Sequence, residues 1–320
     1  MAKKHEVSLL SFVENEKECD SVSALLPYCK RVETVKRTRH TPVSLFPYEP
    51  FEEFNCPAFR KKLEILLVEK DFDLVHFEWP QMAQYADLCR GIPMFLTEVE
   101  VNYAAHYTVV ALQKNPLKKL RAIYNSLHTL YREVQLCRKV DRVVCVTDED
   151  RNSLRNYVEE SKLSVINTGV DTQYFNLDDS HVFEPNTLVF VGAFRHEPNV
   201  DAMLYFCHQL LPRIVKERPQ TCLYIVGDGP PESVKALQSI PQVTVTGYVE
   251  DIRSFYQRAQ VVVVPLRTGV GIRGKILEAW AAGKAMVATP LACQGIRAVS
   301  YTHLRAHETS LHLVCRLLLE

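Results

Sequence analysis

The 320-residue chain has no surplus of charge of either sign: 38 lysines and arginines stand against 38 aspartates and glutamates. That balance argues against a protein that coats nucleic acid through bulk charge. None of its ten cysteines forms a C-x-x-C unit or joins histidines at metal-ligand spacing, so no metal site is expected. Several cysteines stand inside apolar runs, as in Val143-Val144-Cys145-Val146, where a thiol serves as a small hydrophobe and a reducing setting suffices. The start, Met1-Ala2-Lys3-Lys4-His5, lacks the apolar core of a signal peptide. No stretch reaches the ~20 apolar residues that a membrane-spanning helix needs. A cytoplasmic globular protein is expected, one that at most lies on a membrane.

What is present is ample for real cores. Hydrophobic residues make up 47% of the chain, and its length suits two domains of roughly 150 residues each. Short β-branched runs at 7–13, 74–77, 94–97, 142–147 and 164–167 predict strands, with helical patterns between them, the longest over 117–139. A second series follows at 188–192, 222–227, 243–245, 261–264 and 285–288. Its helix over 200–216 sets Met203, Leu204, Cys207, Leu210, Leu211, Ile214 and Val215 on one face. Strands alternating with helices predict an α/β protein with parallel sheets. The polar segment 168–186 is the natural boundary between Rossmann-like domains over 1–168 and 169–299. Two such domains in tandem are expected to place a cleft at the carboxyl ends of their strands. Residues 300–320 break the pattern and read as a non-native tail, with an ordinary terminal helix as the alternative.

The most specific stretch runs Gly271-Ile272-Arg273-Gly274-Lys275-Ile276-Leu277-Glu278-Ala279-Trp280-Ala281-Ala282-Gly283 and on to Val287. It resembles the donor-site motif of family 4 retaining glycosyltransferases, a glycine-rich loop followed by K-x-x-E-A-x-A-x-G. Further landmarks appear in that family's order. They are Asn167-Thr168-Gly169-Val170-Asp171 with Phe175, Phe190-Val191-Gly192, Pro198-Asn199-Val200-Asp201-Ala202, Gly227-Asp228-Gly229-Pro230, Thr246-Gly247-Tyr248-Val249 and Val264-Pro265. Val75-His76-Phe77-Glu78-Trp79 and Thr97-Glu98-Val99-Glu100 look like the branch that builds bacterial exopolysaccharide. The resemblance covers about residues 5–299 and implies the GT-B fold, two Rossmann-like domains facing a cleft.

The resemblance also implies a chemistry. A nucleoside-diphosphate sugar, a UDP-sugar first, is the co-substrate, and no separate cofactor is expected. Gly271 and Gly274 let backbone amides approach its phosphates, aided by the N-terminus of the following helix. Arg273 and Lys275 would neutralise the charge that grows on the diphosphate as the glycosidic bond breaks. Glu278 would accept hydrogen bonds from the ribose hydroxyls. Gly192 and Asn199 line the donor side, although Asn199 is equally well read as a helix cap. The backbone around Gly247 and Val249 is expected to hold the base. On the acceptor side stand His76, Glu98 and Glu100, with His76 equally readable as a core histidine. The leaving phosphate would itself deprotonate the acceptor, a glycan or lipid-linked sugar.

Some positions depart from the family pattern. Val270 replaces an acidic residue, Val99 a histidine, and Ala193 and Pro198 two cations, which leaves Arg273 and Lys275 with Arg195 as a helper. In the family the strand at 7–13 is the second. The chain is therefore expected to lack the first strand and the end of the donor domain, and to be marginally folded with little activity. The stretch 114–142 carries eight cations, Lys114 to Arg142, against Glu133 and Asp141. It reads as a solvated basic helix or as one that docks on an anionic leaflet. A GT-B sugar-nucleotide epimerase and a non-catalytic nucleotide-binding fragment stay open beside the transferase.

Overall fold

In the computed structural model the described residues are 4–14, 21–37, 51–99, 101, 115–176, 183–269 and 271–296; Glu100, Lys114, Val270 and the 300–320 tail lie outside them. The chain divides into two compact units, Met1–Ile166 and Asn167–Glu320.

The first unit holds two parallel sheets. Strands β1 (Ser8–Val13) and β2 (Arg31–Lys36) pair from Ser8↔Arg31 to Val13↔Lys36. Strands β3 (Val75–Glu78), β4 (Met94–Glu98), β5 (Arg142–Cys145) and β6 (Leu163–Val165) form the second sheet in that order. β2 adds to the sequence reading, because three charges among its six residues hide the strand. Those charges fasten it to α1 (Pro57–Glu69): Arg31 pairs with Glu69 at 2.7 Å and Glu33 with Lys62 at 2.7 Å.

The long helix α2 (Pro116–Lys139) starts where the sequence allows. Asn115 caps it by accepting from Leu117 N and Lys118 N, and Pro116 occupies a first-turn position that has no hydrogen bond to lose. α3 (Asp148–Leu154) begins likewise, with Thr147 Oγ1 accepting from Asp150 N at 2.9 Å. The unit's core gathers Phe59, Tyr85, Leu96, Leu136, Cys137, Val143 and Cys145. Burial pushes the Cys145 thiol up to about 12, so it packs as a hydrophobe.

In the second unit β7 (Thr187–Val191), β8 (Cys222–Val226), β9 (Val243–Gly247), β10 (Val261–Val264) and β11 (Ala285–Ala288) are all parallel, ordered β11-β10-β7-β8-β9. The uninterrupted valines of β10 suit a strand covered on both faces. The helix expected over 200–216 runs through 197–217 but is not uniform. α4 (Glu197–Tyr205) passes through a π turn (Phe206–Leu210) into α5 (Leu211–Glu217). Pro212 explains the irregularity, since it has no N–H to donate and its ring would crowd the carbonyl one turn back. The short helices α6 (Glu232–Lys235) and α7 (Arg253–Arg258) follow, and then α8 (Gly274–Ala281).

The strand order positions the site. From β7 the chain builds outward through β8 and β9, then returns to the other side of β7 for β10 and β11. The carboxyl ends of β7 and β10 therefore flank the point where the order reverses, which is where open α/β sheets bind ligands.

Candidate functional site

Two loops leave that point. One follows β7 through Gly192 into α4; the other follows β10 into α8. Lys275, in the first turn of α8, joins them. Its Nζ donates to Asn199 Oδ1 at 2.8 Å and lies 4.2 Å from the centre of the Phe190 ring. Asn199 is 8% exposed, and its Nδ2 donates to Ala193 O at 2.7 Å. Both ends of that amide are thus committed to the site. The cap position of α4 belongs to His196, so the capping role considered for Asn199 is not the one it has.

Gly192 is glycine for reasons of space. A Cβ there would lie 2.6 Å from Lys275 Nζ and 3.0 Å from Asn199 Nδ2. Gly227, at the end of β8, lets the same loop pass: its φ is +153°, and a Cβ would come within 1.9 Å of Gly192 O.

Positive charge concentrates here. Arg273 holds the N-cap position of α8, and its Nη2 would lie 3.0 Å from a Cβ on Gly269. Burial, then repulsion from Arg273, bring Lys275 down to about 7, with Glu278 pulling the other way. Burial, then Arg195 and Lys275, hold His196 below the usual imidazole range. Amines that resist their own charge are poised to accept an anion, which would restore it.

Glu278 sits one turn into α8. Its Oε2 accepts from Tyr256 Oη at 3.0 Å, while Oε1 faces the bare Cα of Gly274, 3.8 Å from where a Cβ would be. Gly271 has φ +83°, a backbone state that glycine adopts freely, and Gly274 opens α8. Gly247, with φ +70°, ends β9, and its carbonyl accepts from Gly227 N at 3.1 Å; Val249 packs on the core just beyond. The loop after β9 thus stands next to the loop after β8. The structure brings Gly192, Asn199, Arg273, Gly274, Lys275 and Glu278 together around the turn into α8.

The sequence profile described as Glycosyltransferase Family 4 matches residues 1–174, and that described as Glycosyl transferases group 1 matches 185–308. The chain belongs to glycosyltransferase family 4.

Solved structures share the fold of this family 4 glycosyltransferase, the GT-B fold. The Anabaena Alr3699/HepE protein, in complex with UDP and glucose, is 13% identical with a TM-score of 0.59, covering 89% of this chain and 81% of its own. WaaG, a glycosyltransferase involved in lipopolysaccharide biosynthesis, is 16% identical with a TM-score of 0.57, covering 88% and 81%. A glycosyltransferase from Rickettsia africae is 16% identical with a TM-score of 0.52, covering 92% and 82%. No curated protein matches by sequence.

In the first unit of this family 4 enzyme, His76 is neither a core residue nor free. Its ring stacks on Phe95 at 4.0 Å, and its Nε2 lies 2.7 Å from Thr97 Oγ1 and 3.1 Å from Glu78 Oε2. Glu98 is 0% exposed, with Cys137 Sγ at 3.9 Å from Oε2. Its place at the end of β4, on the inward alternation of the strand, is the cause. Next to His76 and Glu78, Trp79 holds φ 72° and is 50% exposed, an unusual backbone state for a bulky residue. In the second unit the sequence does not single out Tyr256, which stands against Glu278, and it offers Phe190 only as part of the Phe190-Val191-Gly192 landmark, not as the ring beneath Lys275. Phe190 lies in an apolar run that reads as core, and Tyr256 in a short helix whose sequence carries no motif.

Proposed function

We propose that this enzyme moves a sugar, with retention of anomeric configuration, from a nucleoside-diphosphate sugar to a lipid-linked or polysaccharide acceptor of the kind used in exopolysaccharide assembly. The observation that carries the reading is the convergence of Lys275, Asn199 and Arg273 on the switch point, beside the N-terminus of α8. A cationic cluster beside an aromatic ring, with amides at a helix start, suits a diphosphate. Gly271 and Gly274 leave the backbone accessible to it. Glu278 beside that cluster takes the ribose, and the loop at Gly247 and Val249 takes the base. A UDP-sugar is the donor we favour, in keeping with the UDP and glucose bound to the Anabaena protein of the same fold.

The reaction follows from the charges. The bond between the anomeric carbon and the diphosphate oxygen breaks, and Arg273 and Lys275 take up the negative charge left on the diphosphate. The acceptor hydroxyl attacks from the same face, and its proton passes to the departing phosphate oxygen. No side-chain base and no further cofactor are needed, and the nucleotide leaves as the diphosphate. His76, Glu98 and Glu100 are the acceptor-side residues of this proposal.

The reading extends to a membrane. No helix among the described residues is long and apolar enough to cross one. The first half of α2 nevertheless exposes Leu117, Leu120, Tyr124, Leu127 and Tyr131, spaced three and four apart along one stripe. Lys118, Lys119, Arg121 and Arg132 accompany them, and residues 115–132 contain no acidic side chain. That combination suits the anionic cytoplasmic face of a membrane, where a lipid-linked acceptor would be presented.

Methanol as a surrogate acceptor tests the reaction. Incubating the protein with UDP-glucose and methanol should yield the methyl α-glucoside and UDP, read by NMR. The methyl β-glucoside would overturn retention, and glucose epimerised on the nucleotide would overturn transfer.

A further inference from the structure

The side chain that holds Glu278 lies on a different element from the α8 motif. Tyr256, in α7, is 0% exposed. Its ring packs edge-on against Phe175, with centroids 6.2 Å apart, and belongs to the core cluster of the second unit. Its hydroxyl leaves the core at one point, donating to Glu278 Oε2 at 3.0 Å, with Lys275 O a longer neighbour at 3.5 Å. Burial and the facing carboxylate both push the phenol far above its usual range, so it stays a donor at every working pH.

A glutamate one turn into a helix has several rotamers open to it, and a carboxylate that must receive a ligand's hydroxyls gains from being held in one. The contact with Tyr256 occupies Oε2 and leaves Oε1 on the side of Gly274, where no side chain stands in the way. We propose that Tyr256 is a positioning residue for sugar-nucleotide recognition: it clamps one oxygen of Glu278 so that the other is aimed at the ribose hydroxyls of the donor. The inference rests on the donor-site reading of Glu278 given above. It makes ribose recognition a property of two elements, α7 and α8, rather than of the α8 motif alone.

The test compares the binding of UDP and 2′-deoxy-UDP by calorimetry in the wild-type protein, Tyr256→Phe, Glu278→Gln and the double variant. Tyr256→Phe keeps the buried ring and removes only the hydroxyl. The wild type should prefer UDP. Tyr256→Phe should weaken UDP by about tenfold, the size of a hydrogen bond to a charged group, while changing 2′-deoxy-UDP less. The preference for ribose should therefore shrink, as it does in Glu278→Gln, and the double variant should be no weaker than Glu278→Gln alone. An equal loss for both nucleotides in Tyr256→Phe would show a merely structural role and overturn the inference, as would unchanged affinity for both. Failure of the wild-type protein to bind either nucleotide would instead overturn the donor-site reading on which the inference stands.

Discussion

Lys275 and Asn199, on α8 and α4, meet at 2.8 Å across the point where the strand order of the second unit reverses. The contact is a neutral anchor for a cation, and replacing it with a charged one should change function. In Asn199→Asp a carboxylate would pair with Lys275 and compete with the diphosphate. It would also face Ala193 O, now 2.7 Å from a donor, with no hydrogen to offer. Nucleotide affinity should fall by about tenfold and stability by about 1–3 kcal/mol. Calorimetry and thermal melting read the two losses separately. Undiminished affinity would remove Lys275 from the binding site.

The pH dependence of nucleotide binding should carry the signature of Lys275. With its ammonium brought down to about 7, the free protein loses that charge as pH rises through neutrality. A bound diphosphate favours the charged form and raises its pKa, so binding above pH 7 takes up a proton. Affinity should therefore fall as pH rises from about 7 to 9, by at most tenfold per unit. His196, held below the ordinary histidine range, titrates on the acid side and does not contribute in this window. Calorimetry at pH 8 in two buffers of different ionisation enthalpy should reveal net proton uptake. Release of protons, or none exchanged, would contradict the assignment.

Gly192 and Gly227 are glycines for different reasons, and their alanine variants should separate. Gly192→Ala puts a methyl 2.6 Å from the tip of a flexible lysine, which can retreat. Nucleotide binding should weaken by about tenfold, roughly the worth of one charged hydrogen bond, with a melting temperature close to wild type. Gly227→Ala puts a methyl 1.9 Å from a backbone oxygen, which cannot retreat without moving the β7 loop. It should cost about 3 kcal/mol or more of stability, seen as a large drop in melting temperature.

The exposed stripe of α2 makes a prediction that concerns lipid. The protein should sediment with vesicles that contain anionic lipid and stay behind with neutral ones. Reversing Lys118, Lys119 and Arg121 to glutamate should abolish sedimentation, since each nearby cation contributes about 1 kcal/mol. Leu120→Ser with Leu127→Ser should weaken it without changing the charge. Binding indifferent to all these changes would leave α2 a solvated basic helix.

The site was legible where its residues are contiguous. Arg273, Lys275 and Glu278 share one short stretch with glycines, so a single segment shows both the helix start and the candidate anion site. The parallel sheets were legible too, because runs such as Val261–Val264 are apolar on both faces. Tyr256 was not, since it stands 22 residues before Glu278 in another helix and nothing local distinguishes it from a packing aromatic. Phe190 stands in the Phe190-Val191-Gly192 landmark, but its place beneath the Lys275 ammonium is a tertiary contact that the motif does not disclose. β2 escaped notice because Arg31 and Glu33 find their partners on α1, a tertiary fact that alternation alone does not disclose. The burial of Glu98 is likewise a tertiary fact: a carboxylate at the end of a strand reads as exposed, and only the packing around Cys137 shows it buried.

The central claim is that the turn into α8 binds a nucleoside diphosphate, with Glu278 on its ribose. Titrating the purified protein with UDP, GDP and ADP by calorimetry, beside Glu278→Gln, tests it most directly. The account predicts saturable binding of one nucleotide, UDP, weakened by about tenfold or more in a variant that melts like the wild type. Equal affinity for UDP in the wild type and in Glu278→Gln, or no binding of any of the three by folded protein, would contradict it.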